Sequence, residues 1–163
     1  MPYVHPKYRS KEIQHRISSM VISGNREGAL ELAREAVKEL PDDIMIALLY
    51  AEMLFLNHED ESVLDALQTA RLINPRHPMY FRMVFLASLR AKAFKAAHGA
   101  LHEALLHRLP WPILKDLRRM ITEKALRDEK GQWPEEENTD PAWTRLLPPI
   151  WTSLKKPCSL KLV

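Results

Sequence analysis

The chain has 163 residues, of which 46% are apolar and 28% are charged, and its net charge is +3. This size and composition fit one ordinary globular domain, while only four glycines disfavour a fold with many glycine turns. The single cysteine, Cys158, excludes an internal disulfide or a cysteine zinc cage and fits a reducing compartment. No signal peptide and no apolar run near the ~18 residues of a membrane span are visible, so we expect a cytoplasmic protein.

Charge is distributed unevenly along the chain. Residues 40–75 contain seven acids and one base, a balance of −6, whereas residues 90–127 contain nine bases and three acids, a balance of +6. Such a division fits an acidic partner or head-to-tail self-association, and it equally fits two solvated faces.

The first half of the chain predicts three helices, because Ala, Leu, Glu, Lys and Arg dominate it. Ser10 is the expected cap of a helix that ends near Ser23. After Gly24 a second helix extends to about Leu40, where Pro41 ends it. Asp42 or Asp43 is then expected to cap a third helix over residues 44–57.

Three further helices and a terminal one follow. The acidic run at residues 59–61 suits the N-terminus of a fourth helix. Pro78 suits the first turn of a fifth helix, which ends near Arg90, and a sixth covers about residues 93–108. Pro112 opens an amphipathic helix that extends to about Asp128, with its apolar residues on one side. The predicted fold class is all-α.

A fixed period relates these helices to one another. Pro41 and Pro75 are 34 residues apart, and Pro110 follows 35 residues later. A triplet of small or aliphatic residues, spaced four and three apart, precedes each proline and therefore shares one helical face. The triplets are Ala29, Ala33 and Ala36; Val63, Leu67 and Ala70; and Ala97, Leu101 and Ala104.

With this period the sequence resembles the tetratricopeptide-repeat family over residues 10–110. The matching residues are Gly24, Ala29, Leu30, Ala36, Val37 and Pro41; then Ala51, Leu64, Ala70, Ile73, Asn74 and Pro75; then Phe94, Ala97, Leu101, Ala104 and Leu105. The chain departs from the family at Ile17 and Phe85, where a small residue is usual, and it has no glycine in the turns of the second and third units.

The resemblance implies a right-handed α-solenoid of three helix-turn-helix repeats, spanning residues 10–43, 44–77 and 78–110. Residues 1–9 would form an N-terminal extension, and the helix over 111–128 would cap the exposed end of the stack. The tail, residues 129–163, is rich in proline and tryptophan. Its apolar cluster, Trp143, Leu146, Leu147, Ile150 and Trp151, either folds back on the repeats or docks on another molecule; disorder is the third alternative.

The resemblance also implies a concave groove lined by the first helix of each repeat. Its expected partner-binding residues are Met45, Leu48, Leu49, Glu52, Phe55, Met79, Arg82, Met83, Leu86 and Arg90. An apolar groove containing methionine suits an amphipathic helix or an extended apolar segment. The expected function is therefore a protein–protein interaction module, an adaptor or a chaperone. The architecture is similar to that of type III secretion translocator chaperones.

Other classes of function find less support in the sequence. No glycine-rich phosphate loop, GxSxG motif or paired-carboxylate motif is present, so we expect no enzyme and no cofactor. His98 and His102 are four residues apart, but that spacing alone is a weak metal signal. The basic third repeat and capping helix could contact nucleic acid, although Trp111 is the one aromatic residue next to the capping helix, which contains no Asn or Gln for reading bases. Self-assembly through the tail is the main alternative to binding a separate partner.

Overall fold

The computed structural model describes residues 5–106, 112, 115, 119 and 137–147. Within these residues the secondary structure is helical, with seven helices whose bounds are defined and no strand. The all-α prediction is confirmed at this level. The chain forms two compact units, Met1–Pro75 and Arg76–Val163, whereas its length alone fitted one domain.

Four helices form the first unit, and three described helices belong to the second. In the first unit they are α1 (Pro6–Ile22), α2 (Arg26–Glu39), α3 (Ile44–Leu56) and α4 (Asp60–Ile73). In the second they are α5 (Pro78–Arg90), α6 (Phe94–Leu106) and the short α7 (Pro141–Thr144). Consecutive helices pack against each other from α1 to α4; in the second unit, α5 packs on α6 and α6 on α7.

The predicted start of the first helix was wrong. The helix begins at Pro6, and Ser10 is a buried residue inside it that accepts a hydrogen bond from the Gln14 side chain. A His-Pro pair provides the actual start: His5 Nδ1 accepts a hydrogen bond from the Lys7 amide at 3.2 Å. Proline at the first helical position has a suitable fixed φ and no amide hydrogen to satisfy. The same pair, His77 and Pro78, begins α5.

The turns inside the three helix pairs share one backbone conformation at a fixed interval. Gly24, His58 and Lys92 have φ values of 85°, 59° and 60°, and they are separated by 34 residues in each case. At each turn the next residue donates its backbone amide to the carbonyl of the residue five positions earlier; the three donors are Asn25, Glu59 and Ala93. The left-handed residue thus ends the first helix of each pair in the same way. In the second and third pairs, which have no glycine at this turn, His58 and Lys92 adopt the left-handed conformation.

The second helices of the three pairs also share a buried face. All nine residues of the predicted triplets are buried, each with an exposed fraction of 2% or less. Small alanines recur on this face, so neighbouring backbones can approach closely. The 34-residue spacing seen in the prolines therefore recurs in both turn geometry and packing.

The two large residues that depart from the family pattern lie in the core. Ile17 and Phe85 are both completely buried. Their side chains fill space that a small residue would leave empty, and protein interiors tolerate such voids poorly. The departures from the family pattern are accommodated by packing.

Of the two predicted caps, Asp42 and Asp43, it is Asp43 that caps α3, and its contribution can be measured. Its carboxylate accepts hydrogen bonds from the amides of Met45 and Ile46 at 2.9 and 3.1 Å. Asp43→Ala is expected to lower the free energy of unfolding by about 1 kcal/mol, because two helix amides lose their acceptor. Chemical denaturation followed by circular dichroism measures this change.

Glu59 provides the matched control for Asp43, because it occupies the same position before α4 without a side-chain capping bond. Glu59→Ala should therefore lower the free energy of unfolding clearly less than Asp43→Ala does. Equal losses for the two variants would contradict the capping role of Asp43.

Most of the predicted capping helix and the end of the tail lie outside the described residues. Within 111–128, Pro112, Lys115 and Arg119 are helical and exposed. Ile150, Trp151 and Cys158 belong to the part of the chain that is not described.

Candidate segment-binding site

The α3 residues predicted for the groove divide into surface and core. Met45, Leu49, Glu52 and Phe55 are half-buried, but Leu48 is only 3% exposed. Its prediction as a partner-binding residue is therefore corrected. α3 is apolar around nearly its whole circumference and contacts α1, α2 and α4, so its sequence alone does not distinguish the face that stays open.

A cleft of about 570 Å³ lies beside this part of α3 in the first unit. Lys7 and Lys11 of α1 line it together with Leu40, Pro41 and Met45. A smaller cleft of about 350 Å³ shares Lys11 and Gln14 with the first and continues along α1 to His15 and Ser18. The first unit therefore offers an apolar floor next to amine, amide and hydroxyl groups.

Two carboxylates on the wall of this cleft are already engaged. Glu39 accepts a hydrogen bond from Arg9 Nε at 2.8 Å. This bond holds the pKa of Glu39 below its usual range and raises that of Arg9. The second carboxylate, that of Asp43, caps α3. The exposed acid Asp42 also lines the cleft.

The α5 residues predicted for the groove also divide. Met79, Arg82, Leu86 and Arg90 are half-buried, but Met83 is only 1% exposed and belongs to the core. The prediction of Met83 as a partner-binding residue is therefore corrected as well. Seven of the thirteen residues of α5 are buried, which leaves a narrow open strip on this helix.

Part of the tail folds back onto the second unit. Three apolar residues of segment 137–147 are buried: Trp143, Leu146 and Leu147. The short α7 packs against α6. Asp140 accepts a hydrogen bond from the Ala142 amide at 2.9 Å and caps this helix, while Pro141 occupies its first position. For these residues the structure selects folding back from the three alternatives.

Polar contacts hold the segment at both ends. Near its beginning, Lys92 Nζ donates to Glu137 Oε2 at 2.8 Å, and the Lys92 carbonyl accepts from the Asn138 amide at 3.2 Å. Near its end, the buried hydroxyl of Tyr80 donates to the Leu146 carbonyl at 2.5 Å. This carbonyl lies just beyond α7, where helix carbonyls lack an intrahelical partner.

These two anchors define the direction of the segment. Lys92 follows the C-terminal end of α5, and Tyr80 lies in its first turn, so the anchors are separated by about 18 Å along the helix axis. The segment therefore runs antiparallel to α5. Of its buried apolar residues, Trp143 lies between the two polar contacts in sequence, while Leu146 and Leu147 lie at and just beyond the second. We call this surface, defined by Tyr80, Lys92 and the α6 face under α7, the α5–α6 site.

Sequence reasoning did not find Tyr80 or Lys92. Tyr80 follows the predicted groove residue Met79 and points to a different side of α5, and spacing alone does not indicate its hydrogen bond to Leu146, 66 residues away. Lys92 had a usable signal, because it occupies the position 34 residues after His58 and 68 after Gly24.

No protein-family model matches the chain, and a comparison with curated proteins gives no match. Among the described residues, no helix is both long enough and apolar enough to cross a membrane. The same residues contain no group of three His, Cys, Asp or Glu side chains that could hold a metal ion. The interpretation of the site therefore depends on its own contacts.

The histidine pair on α6 lies in the protein interior. His98 is buried and His102 half-buried, one turn apart. Burial, and then the charge of the neighbouring His102, lower the pKa of His98 below that of an ordinary histidine. Burial likewise lowers the pKa of His77. Folding therefore favours the neutral form of both histidines.

We expect the stability of the protein to fall as the pH drops below about 6.5, the pKa of histidine in an unfolded chain. There the unfolded chain binds protons that the folded His98 resists, so unfolding is favoured. Urea denaturation at several pH values between 7.5 and 5.5 measures the slope. The dependence of the unfolding free energy on pH should be weaker in His98→Gln. It should be unchanged in His15→Gln, which replaces an exposed histidine of α1. Equal slopes for both variants and the wild type would contradict this role of His98.

Proposed function

We propose that this protein is an interaction module of the tetratricopeptide-repeat type, which binds an apolar helical or extended segment of another protein as an adaptor or a chaperone. The 34-residue recurrence of the left-handed turn supports three related helix pairs. The shared buried face of α2, α4 and α6 supports the same reading.

One observation carries the proposal. The second unit already holds an eleven-residue segment through buried apolar side chains and two hydrogen bonds to the segment's main chain, at Asn138 and Leu146. Peptide-binding grooves commonly take up the apolar side chains of a bound segment in this way. In the first unit, α3 also carries the half-buried apolar residues Met45, Leu49 and Phe55, of which Met45 lines the cleft.

Self-assembly remains the second candidate, and the same observation favours it. The α5–α6 site and the segment that fits it belong to one chain, so a segment from another copy would fit equally well. Light scattering of the full-length protein over a range of concentrations distinguishes this alternative. A dimer fraction that rises with protein concentration would favour self-assembly.

A photo-cross-linking amino acid tests the binding surfaces in the full-length protein within its native host. We place it at Leu49 on α3 or at Leu86 on α5, both half-buried, and at Leu72 on α4 as the control. Leu72 is 86% exposed and lies outside the proposed surfaces. A discrete partner adduct at Leu49 or Leu86, and none at Leu72, is expected. The proposal fails if all three positions give the same adducts or if none gives any.

A further inference from the structure

Segment 137–147 shows which features the α5–α6 site recognises. A carboxylate, Glu137, meets Lys92 at one end, and the free carbonyl after a short helical turn meets Tyr80 at the other. Trp143, Leu146 and Leu147 lie between or beside these contacts and are buried. The apolar residues follow the spacing Trp-x-x-Leu-Leu, and the carboxylate precedes the tryptophan by six residues.

The segment is held by contacts that can be exchanged. The Lys92–Glu137 ion pair is exposed on both sides, and such pairs contribute little to stability. α7 has only four residues, too few to form a stable helix by itself. The burial of three apolar side chains is opposed by the entropy lost when eleven residues are ordered.

Thirty residues of sequence, 107–136, connect the end of α6 to the segment. Because the segment and its site belong to one chain, the local concentration of the segment at the site is raised without any added contact. A second molecule with the same chemistry therefore competes with the segment directly. Its apparent affinity is reduced by the fraction of time that the site is occupied.

We propose that the α5–α6 site is the binding site for a partner protein's segment that carries an acidic residue followed by a Trp-x-x-Leu-Leu turn, and that residues 137–147 occupy it in the absence of that partner. This proposal rests on the proposed interaction function and names the class of partner. Tyr80 would donate to the carbonyl at the end of the partner's turn, as it does to Leu146. Lys92 would pair with the partner's acidic residue.

The test uses a labelled peptide with the sequence of residues 137–147 and blocked ends. Its binding is measured by fluorescence anisotropy to two full-length proteins, the wild type and the double variant Trp143→Ala, Leu147→Ala. The double variant has lost two buried anchors of its own segment, so its site should be open. We expect it to bind the peptide at least about tenfold more tightly than the wild type, because no internal segment competes.

Two matched controls identify the contacts. A peptide in which the tryptophan is replaced by alanine should lose binding. Tyr80→Phe, added to the double variant, should weaken binding of the unmodified peptide by about two- to tenfold, as expected for the loss of one hydrogen bond. Failure of the peptide to bind a double variant with wild-type helicity, or equal binding to the wild type, would overturn the proposal. So would equal binding of the two peptides.

Hydrogen exchange of the unmodified wild type keeps the proposal testable if the double variant does not fold. The amides of residues 138–147 should exchange at least about tenfold faster than those of α5, because the segment undocks while the helix pair stays folded. Equal protection of the segment and α5 would show that it is a permanent part of the core, and would overturn the proposal.

The outcome separates this inference from the wider function. Peptide binding reports only on the α5–α6 site, whereas a cross-linked partner at Leu49 reports on the first unit. Partner adducts at Leu49 without peptide binding would overturn the inference and leave the interaction function intact. A wild-type dimer that the free peptide dissociates would show that the occupant is a second copy, which overturns the assignment to a separate partner.

Discussion

Met83→Glu is expected to unfold the second unit, lowering the free energy of unfolding by at least about 4 kcal/mol. Met83 has an exposed fraction of 1%, so its replacement removes buried apolar contacts and places a carboxylate in the core. The carboxylate must stay protonated or open the helix pair to water. Because the free energy of unfolding of a whole domain is about 5–15 kcal/mol, this single change removes a large part of it. Chemical denaturation followed by circular dichroism measures the loss.

Leu49→Glu is the matched control, because it makes the same charge change at a half-buried position of α3. We expect it to cost about 1 kcal/mol, the typical effect of a point substitution, and to keep the helical signal. Were Met83→Glu as stable as Leu49→Glu, Met83 would be a surface residue after all. The comparison decides which variant can be used to study partner binding, since loss of binding in an unfolded protein carries no information.

Phe85→Ala should lower the free energy of unfolding by about 3–5 kcal/mol. The side chain is completely buried, and its removal leaves a cavity that surrounding residues fill only in part. The family pattern taken alone makes the opposite prediction, because it places a small residue here and would make alanine harmless. Thermal or chemical unfolding of the purified variant therefore decides between local packing and repeat consensus.

Leu72→Ala controls for the loss of a large apolar side chain. Leu72 is 86% exposed on α4, so its removal should change stability by less than about 0.5 kcal/mol. If Phe85→Ala proved as mild as Leu72→Ala, the packing around α5 would differ from that described.

Two distinct surfaces follow from these contacts. The first unit carries a cleft beside Met45 with lysines on α1, and the second carries the α5–α6 site with its own segment in place. Variants at Leu49 therefore address the first surface, whereas variants at Tyr80 or Lys92 address the second. An interaction that is lost only in variants at Leu49, or only in variants at Tyr80 or Lys92, can be assigned to the corresponding unit.

Much of the local structure could be predicted from the sequence. Pro41, Asp43 and Pro78 placed helix ends within one or two residues, because their effects on the backbone depend on neighbours along the chain. The triplet spacing correctly placed a buried face on α2, α4 and α6, since the helical period fixes which side chains share a side. Ser10 was misread because two start signals compete there, and the His5-Pro6 pair acts first.

The candidate site was less predictable. The groove was assigned by helical register, which cannot tell an open face from one covered by residues distant in the sequence. Leu48 and Met83 were therefore included, although both are core residues. Tyr80 and Lys92 were missed because their contacts lie 66 and 45 residues away, at Leu146 and Glu137.

The sequence by itself determined what depends on near neighbours: the helix ends, the 34-residue period and the buried face of each second helix. Only the tertiary structure decided that Lys92 pairs with Glu137, that Tyr80 binds the Leu146 carbonyl, and that Trp143 is buried beside α6. The physical reason is the range of the interactions involved. Capping and helical periodicity act over a few residues, whereas the burial of a side chain depends on every segment that the folded chain brings against it.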